Sequence, residues 1–63
     1  MDKNDVILRL KKVMEKTGLS RSTIYNYIKD KTFPKPISLG IRAVGWLESD
    51  IDEWIQSRIA MRG

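Results

Sequence analysis

Signals for the end of one helix and the start of another stand a single residue apart in this chain, at Gly18 and Ser20. Gly18 accepts the left-handed backbone conformation that closes a helix, and Ser20 offers a hydroxyl to an unpaired N–H of the helix that follows. The sequence on both sides has helical period. Leu10, Val13, Met14 and Thr17 fall at i, i+3, i+4 and i+7, leaving Lys12, Glu15 and Lys16 on the far side. Beyond Ser20, Ile24 and Ile28 share a face with Tyr27 beside them, while Ser22, Asn26 and Lys29 recur on the opposite face, flanked by Tyr25. Residues 11–30 thus predict two helices meeting at a tight turn, the second running from Ser20 to about Asp30.

Phe33-Pro34-Lys35-Pro36 closes this unit, because each proline lacks an N–H and pushes the residue before it toward extended geometry. Two short alternating runs follow. Ile37 and Leu39 bracket Ser38, Val44 and Trp46 bracket Gly45, and Gly40-Ile41-Arg42-Ala43 lies between them as a hairpin tip. Strands this short must pack against the helices. Ser49 reads as the N-cap of a last helix, with Asp50, Asp52 and Glu53 complementing the positive end of its dipole and Ile51, Trp54, Ile55 and Ile59 as an inward stripe. The expected fold class is mainly α with a small β-hairpin: helix, recognition helix, two-stranded wing, C-terminal helix, a winged helix-turn-helix forming one domain over residues 1–63.

Size limits what else the chain can be. A chain of 63 residues buries only roughly 60% of its unfolded surface. Without Cys or His it has neither a disulfide nor the usual zinc ligands, so stability falls to helix packing, the two Trp residues or a partner. No metal or cofactor is expected. The opening Met-Asp-Lys-Asn-Asp lacks the features of a signal peptide, and no apolar run has the length of a membrane span, so the default location is the cytoplasm.

Charge is unevenly placed. The net charge is +4, but residues 1–47 hold ten Lys/Arg against four Asp/Glu, and residues 48–63 hold two against four. A basic surface draws polyanions, nucleic acid first and an anionic membrane second, although simple solubility also accounts for a net charge of this size. A helix with an apolar back and a polar front meets the requirement for reading the DNA major groove. Ser22, Thr23, Asn26 and Lys29 supply donors and acceptors for base edges, with Asn26 able to pair bidentately with adenine; the plainer reading of Asn26 is an exposed helix residue. Ser20, the cap, belongs to the same DNA-facing set. Arg21 and Tyr25 are placed for phosphates at the groove rim. Arg42, at the hairpin tip, can reach the adjacent minor groove or backbone, or be a solvated turn arginine. Lys31 and Lys35 add charge rather than sequence information; Lys11 and Lys12 do the same or merely solubilise the first helix. Tyr27 has two readings, phosphate donor or partly buried core aromatic, and its neighbours favour the second.

Trp46 and Trp54 invite a base-stacking role, but both lie on apolar faces near Leu39, Ile51 or Ile55 in pattern, which favours the core. Catalysis finds little support: no His, no Cys, no Gly-rich phosphate loop, and carboxylates that helix capping already explains. A protein-interaction module that never touches DNA is the alternative from another class.

Arg9-Leu10-Lys11-Lys12-Val13, Thr17-Gly18-Leu19-Ser20-Arg21-Ser22-Thr23-Ile24-Tyr25, Phe33-Pro34-Lys35-Pro36 and Arg42-Ala43-Val44-Gly45-Trp46 together resemble the AlpA family of prophage regulators over nearly the whole chain. Such proteins are similar in fold to the MerR-type winged helix and to phage excisionases. The resemblance implies a DNA-binding regulator of a prophage or genomic island, acting on a promoter or on excision, with double-stranded DNA contacted by residues 18–25 and 42–46. Asn26-Tyr27 departs from the family's usual basic-then-apolar pair, which bears on base preference. A domain this small reads few base pairs, so a homodimer or cooperative assembly on neighbouring half-sites is expected, with an integrase as a further partner if the role is excision.

Overall fold

A computed structural model describes residues 5–62. Its elements follow as β1 (Ile7–Leu8), α1 (Leu10–Thr17), α2 (Arg21–Lys29), β2 (Ile37–Gly40), β3 (Ala43–Leu47) and α3 (Glu48–Met61). The three helices and the hairpin appear where the sequence pattern predicts them. The sheet differs from expectation: it has three antiparallel strands in the order β1-β3-β2, with Leu8 opposite Trp46 and Ile37 opposite Gly45. Two residues are too few to show an alternating pattern, so β1 leaves no periodic trace in the sequence.

The core draws one side chain from nearly every part of the fold. Leu8, Val13, Ile24, Phe33, Trp46 and Ile51 are buried, and four of them, Val13, Ile24, Trp46 and Ile51, are fully inaccessible. Only β2 contributes none, so the hairpin's outer strand stands off the core and its tip projects. Trp46 points inward, donates its indole N–H to the Pro34 carbonyl at 3.0 Å, and meets the edge of Phe33. Trp54 is half-buried and donates to the Thr32 carbonyl at 2.7 Å. Both indoles therefore anchor the proline-containing loop.

Backbone turns explain how that loop is aimed. Gly18 adopts φ 73° and closes α1, as its residue type requires. At the end of α2 the same geometry falls on a lysine: Lys31 has φ 62°, its N–H bonds the Ile28 carbonyl, and the Thr32 N–H bonds the Tyr27 carbonyl. This is the double-bonded helix stop normally built on glycine, and it reverses the chain so that Phe33 enters the core.

Three expectations fail on the remaining elements. Ser49 is not the N-cap of α3; Leu47 is, with extended backbone and no side-chain cap. The capping is supplied across the sheet, where the Glu48 N–H bonds the Val6 carbonyl at 2.7 Å and Asp5 receives both the N–H and the hydroxyl of Ser49. Ile59 is 45% exposed, because α3 runs past the end of the core before its last turns. Leu39 is also exposed at 42%: Ile37 pairs with Gly45, so the Ile37 and Leu39 side of β2 lies on the sheet face away from Trp46, where Leu39 and Ile7 close over Gly45. A side chain at Gly45 would meet both, as well as the Leu8 carbonyl. Among the described residues, no helix is long and apolar enough to cross a membrane.

Candidate nucleic-acid interface

The turn between α1 and α2 is fixed by a chain of hydroxyls. Thr17 donates to the Val13 carbonyl at 2.7 Å and accepts the Leu19 N–H, so its side chain bridges helix and turn. Ser20 then caps α2, its hydroxyl oxygen accepting the Thr23 N–H at 3.3 Å. The same oxygen lies 2.8 Å from the Thr23 hydroxyl and 3.4 Å from that of Ser22. Thr23 is consequently half-buried and already engaged, whereas Ser22, Asn26 and Lys29 are exposed along one face of α2. The opposite face buries Ile24 completely and Ile28 and Tyr27 in part. Tyr27 lies beside Trp54 with the Arg58 guanidinium over both rings, so its neighbours are those of a core-edge aromatic.

The predicted contact residues do not form one patch. Arg21, Tyr25 and Arg42 line a single hollow of about 360 Å³ with Arg9 and Lys11. The Arg21 guanidinium lies 5.9 Å from the Tyr25 ring centre, an arrangement that steadies a long side chain without neutralising it. Lys35 stands elsewhere, in a shallow groove with Lys31 on one side and Asp50 and Glu53 on the other. The hairpin tip that carries Arg42 is held by unusual backbone, with φ 153° at Gly40 and φ 58° at Arg42 itself. A non-glycine residue in that region costs free energy, and such costs persist where the surrounding structure holds the residue in place.

Electrostatics separates the cations further. Lys16 is bound by Asp52 at 2.9 Å and Glu48 at 3.2 Å, tying the end of α1 to the start of α3; the Asp52 bond first and the Glu48 bond second hold its ammonium above the ordinary lysine range. Lys12 lies 3.6 Å from Glu15. Among the described residues, Arg9, Lys11, Arg21, Lys29 and Arg42 form no ion pair. Lys31, Lys35, Arg58 and Arg62 form none among these residues either, so what sets the first five apart is their place at the start of α1, on α2 and on the hairpin tip. Arg9 was not singled out by pattern: it lies just outside α1, and its proximity to Arg42 depends on the hairpin folding back, which no local spacing reveals.

Comparison with known proteins identifies the family. Residues 6–59 match the family model described as prophage CP4-57 regulatory protein (AlpA). The chain is 48% identical over 58 residues to the DNA-binding transcriptional activator AlpA of Escherichia coli (strain K12), an alignment covering 82% of this chain and 83% of that protein. It is 49% identical over 55 residues to protein ORF88 of Enterobacteria phage P4, covering 87% of this chain and 62% of that one. With nearly every element from β1 to α3 inside the matched region, the chain belongs to the AlpA family of prophage regulatory proteins.

Proposed function

We propose that the chain is a sequence-specific double-stranded DNA-binding transcriptional regulator, folded as one winged helix-turn-helix domain over residues 1–63. In this reading α2 enters the major groove and presents Ser22, Asn26 and Lys29 to base edges, with Thr23 limited to its methyl group and cap-bound hydroxyl. Arg21 and Tyr25 meet phosphates at the rim. The β2–β3 hairpin is the wing, and Arg42 at its tip reaches the neighbouring minor groove or backbone. The observation that carries the reading is the hollow shared by Arg21, Tyr25 and Arg42, because it joins the recognition helix and the wing on one unneutralised surface. The relative from Escherichia coli is a DNA-binding transcriptional activator, which supports the same class of function.

A helix of nine residues covers few base pairs. Useful specificity then calls for two copies on neighbouring half-sites, or for cooperation along the duplex. The reading requires neither catalytic chemistry nor a cofactor. The test is a footprint of the purified protein on the DNA flanking its own gene, repeated with Asn26→Ala and Arg42→Ala. Protection at a promoter that both substitutions weaken supports regulation. Protection at several adjacent sites beside an attachment sequence, with bending, redirects the reading to a recombination directionality factor acting with an integrase. Absence of duplex binding at low salt, or indifference to both substitutions, overturns DNA binding and leaves a protein-interaction module.

A further inference from the structure

We propose that the hollow between the start of α1, α2 and the hairpin tip seats one phosphodiester of the bound duplex, and that Arg9 is a phosphate contact acting there with Arg21 and Arg42. The inference rests on the DNA-binding reading and adds to it a site and a residue that the groove-reading face alone does not supply.

Four cations, Arg9, Lys11, Arg21 and Arg42, line this hollow, and among the described residues no carboxylate does. They come from separate places: Arg9 precedes α1, Lys11 lies within it, Arg21 opens α2 and Arg42 sits on the hairpin. The fold, and not a local run of sequence, brings them together. Like charges gathered in this way repel one another, and among the described residues none of the four is relieved by an ion pair. An anion in the hollow removes that repulsion. The contrast with the groove of Lys31 and Lys35 is direct, since Asp50 and Glu53 line that one.

The chemistry selects phosphate among anions. Three of the four cations are guanidinium groups, whose planar forks match paired phosphate oxygens. Leu10 and Val44, both half-buried, complete the lining with aliphatic surface. A free phosphate and a backbone phosphodiester share this chemistry. The position of the hollow favours the backbone, because Arg21 and Tyr25 on one wall belong to the helix that faces the major groove. Arg9 is free to serve: it is exposed, its side chain makes no capping bond, and α1 uses only its carbonyl, which accepts the Val13 N–H at 3.1 Å. Replacing its side chain therefore leaves the hydrogen bonds among the described residues intact.

The experiment is a salt titration of duplex binding by fluorescence anisotropy, using the full chain, a random-sequence duplex and the footprinted duplex. Arg9→Ala is expected to weaken binding to both duplexes by the same factor and to flatten the plot of log affinity against log salt by up to roughly 0.9, the value for one whole phosphate contact. A single methylphosphonate at the contacted position should weaken the wild-type protein more than it weakens Arg9→Ala, which still faces that phosphate with Arg21 and Arg42. Thermal unfolding of Arg9→Ala should occur at or slightly above the wild-type temperature, since it removes one of the mutually repelling charges. If wild type binds the duplex and Arg9→Ala keeps its affinity and slope, the site is overturned while DNA binding stands. If inorganic phosphate alone binds in an Arg9-dependent way and the duplex slope does not change, the hollow is a free-anion site and the proposal fails. If wild type binds no duplex at low salt, both readings fail together.

Discussion

Asp5 accepts two hydrogen bonds from Ser49 across 44 positions of sequence, from its hydroxyl at 2.8 Å and from its backbone N–H at 3.3 Å. This pair closes the N-terminus of α3 from outside the helix, and with the bond from Glu48 to the Val6 carbonyl it fastens the β1 segment to α3. The Asp5 carboxyl is held below the ordinary carboxylate range, first by the Ser49 hydroxyl, against partial burial, with the Ser49 and Val6 N–H groups adding to the effect. A folded-state pKa below the unfolded one contributes stability above the unfolded value, and that stability is lost as pH falls through the folded value. The thermal midpoint of wild type should therefore drop on acidification below the carboxylate range. Asp5→Asn should start lower at neutral pH and lose less on acidification. Circular-dichroism melts across that pH range would sink the assignment if the two proteins lost the same amount.

Trp46 is the largest side chain with no exposure, and Pro34 supplies the carbonyl that satisfies its indole N–H. Truncation of a buried aromatic costs about 3–5 kcal/mol, and a domain of this length holds only about 3–9 kcal/mol in total. Trp46→Ala should therefore be largely unfolded at room temperature. Trp46→Phe keeps most of the ring but leaves the Pro34 carbonyl without its donor, a loss of about 1–3 kcal/mol. A urea titration should find Trp46→Phe folded with a lower midpoint. A midpoint unchanged from wild type would show that the bond does not hold the loop.

What the sequence made legible was whatever repeats within a few residues. The stripe of α1, the Gly18 stop, the Ser20 cap and the two-faced pattern of α2 are local signals, and each is realised at its expected residue. The failures depend on distant partners. Ser49 has the residue type of an N-cap, yet Asp5 outcompetes it because β1 brings a carboxylate to the helix end. Leu39 alternates correctly with Ile37 in sequence, but Ile37 pairs with Gly45, which puts both on the sheet face away from Trp46. The candidate site divides in the same way: the polar face of α2 could be read from spacing, whereas the meeting of Arg9 with Arg42, the separation of Lys35 and the neutralisation of Lys16 exist only in three dimensions.

Position alone does not make a lysine a DNA contact, and Lys16 and Lys29 separate the two cases. Lys16 already bonds Asp52 and Glu48, while Lys29 is exposed and among the described residues has no ion pair. Lys29→Ala should weaken duplex binding, reducing the salt slope by roughly 0.9 if it meets a phosphate, or costing about 1–3 kcal/mol of base discrimination if it meets a base edge. Lys16→Ala should leave affinity and slope unchanged and act on stability alone. Anisotropy and melting measured on both variants decide this; a Lys16→Ala protein that folds normally but binds more weakly would contradict the neutralisation argument.

Arg42 combines a backbone conformation that glycine prefers with a side chain that lines the cationic hollow, so its backbone and its charge make opposite predictions. At φ 58° an arginine pays a conformational cost of about 1–2 kcal/mol that glycine avoids. Glycine also loses more entropy on folding, which offsets part of that gain. Arg42→Gly should therefore melt at or slightly above the wild-type temperature, whereas Arg42→Ala, which keeps the strain, should not gain. Both substitutions remove the guanidinium and should weaken duplex binding with a shallower salt dependence. Retained strain at this position is then explained by binding rather than by folding. If Arg42→Gly binds duplex as well as wild type, the hairpin tip is a solvated turn and the grip on DNA belongs to α2 alone.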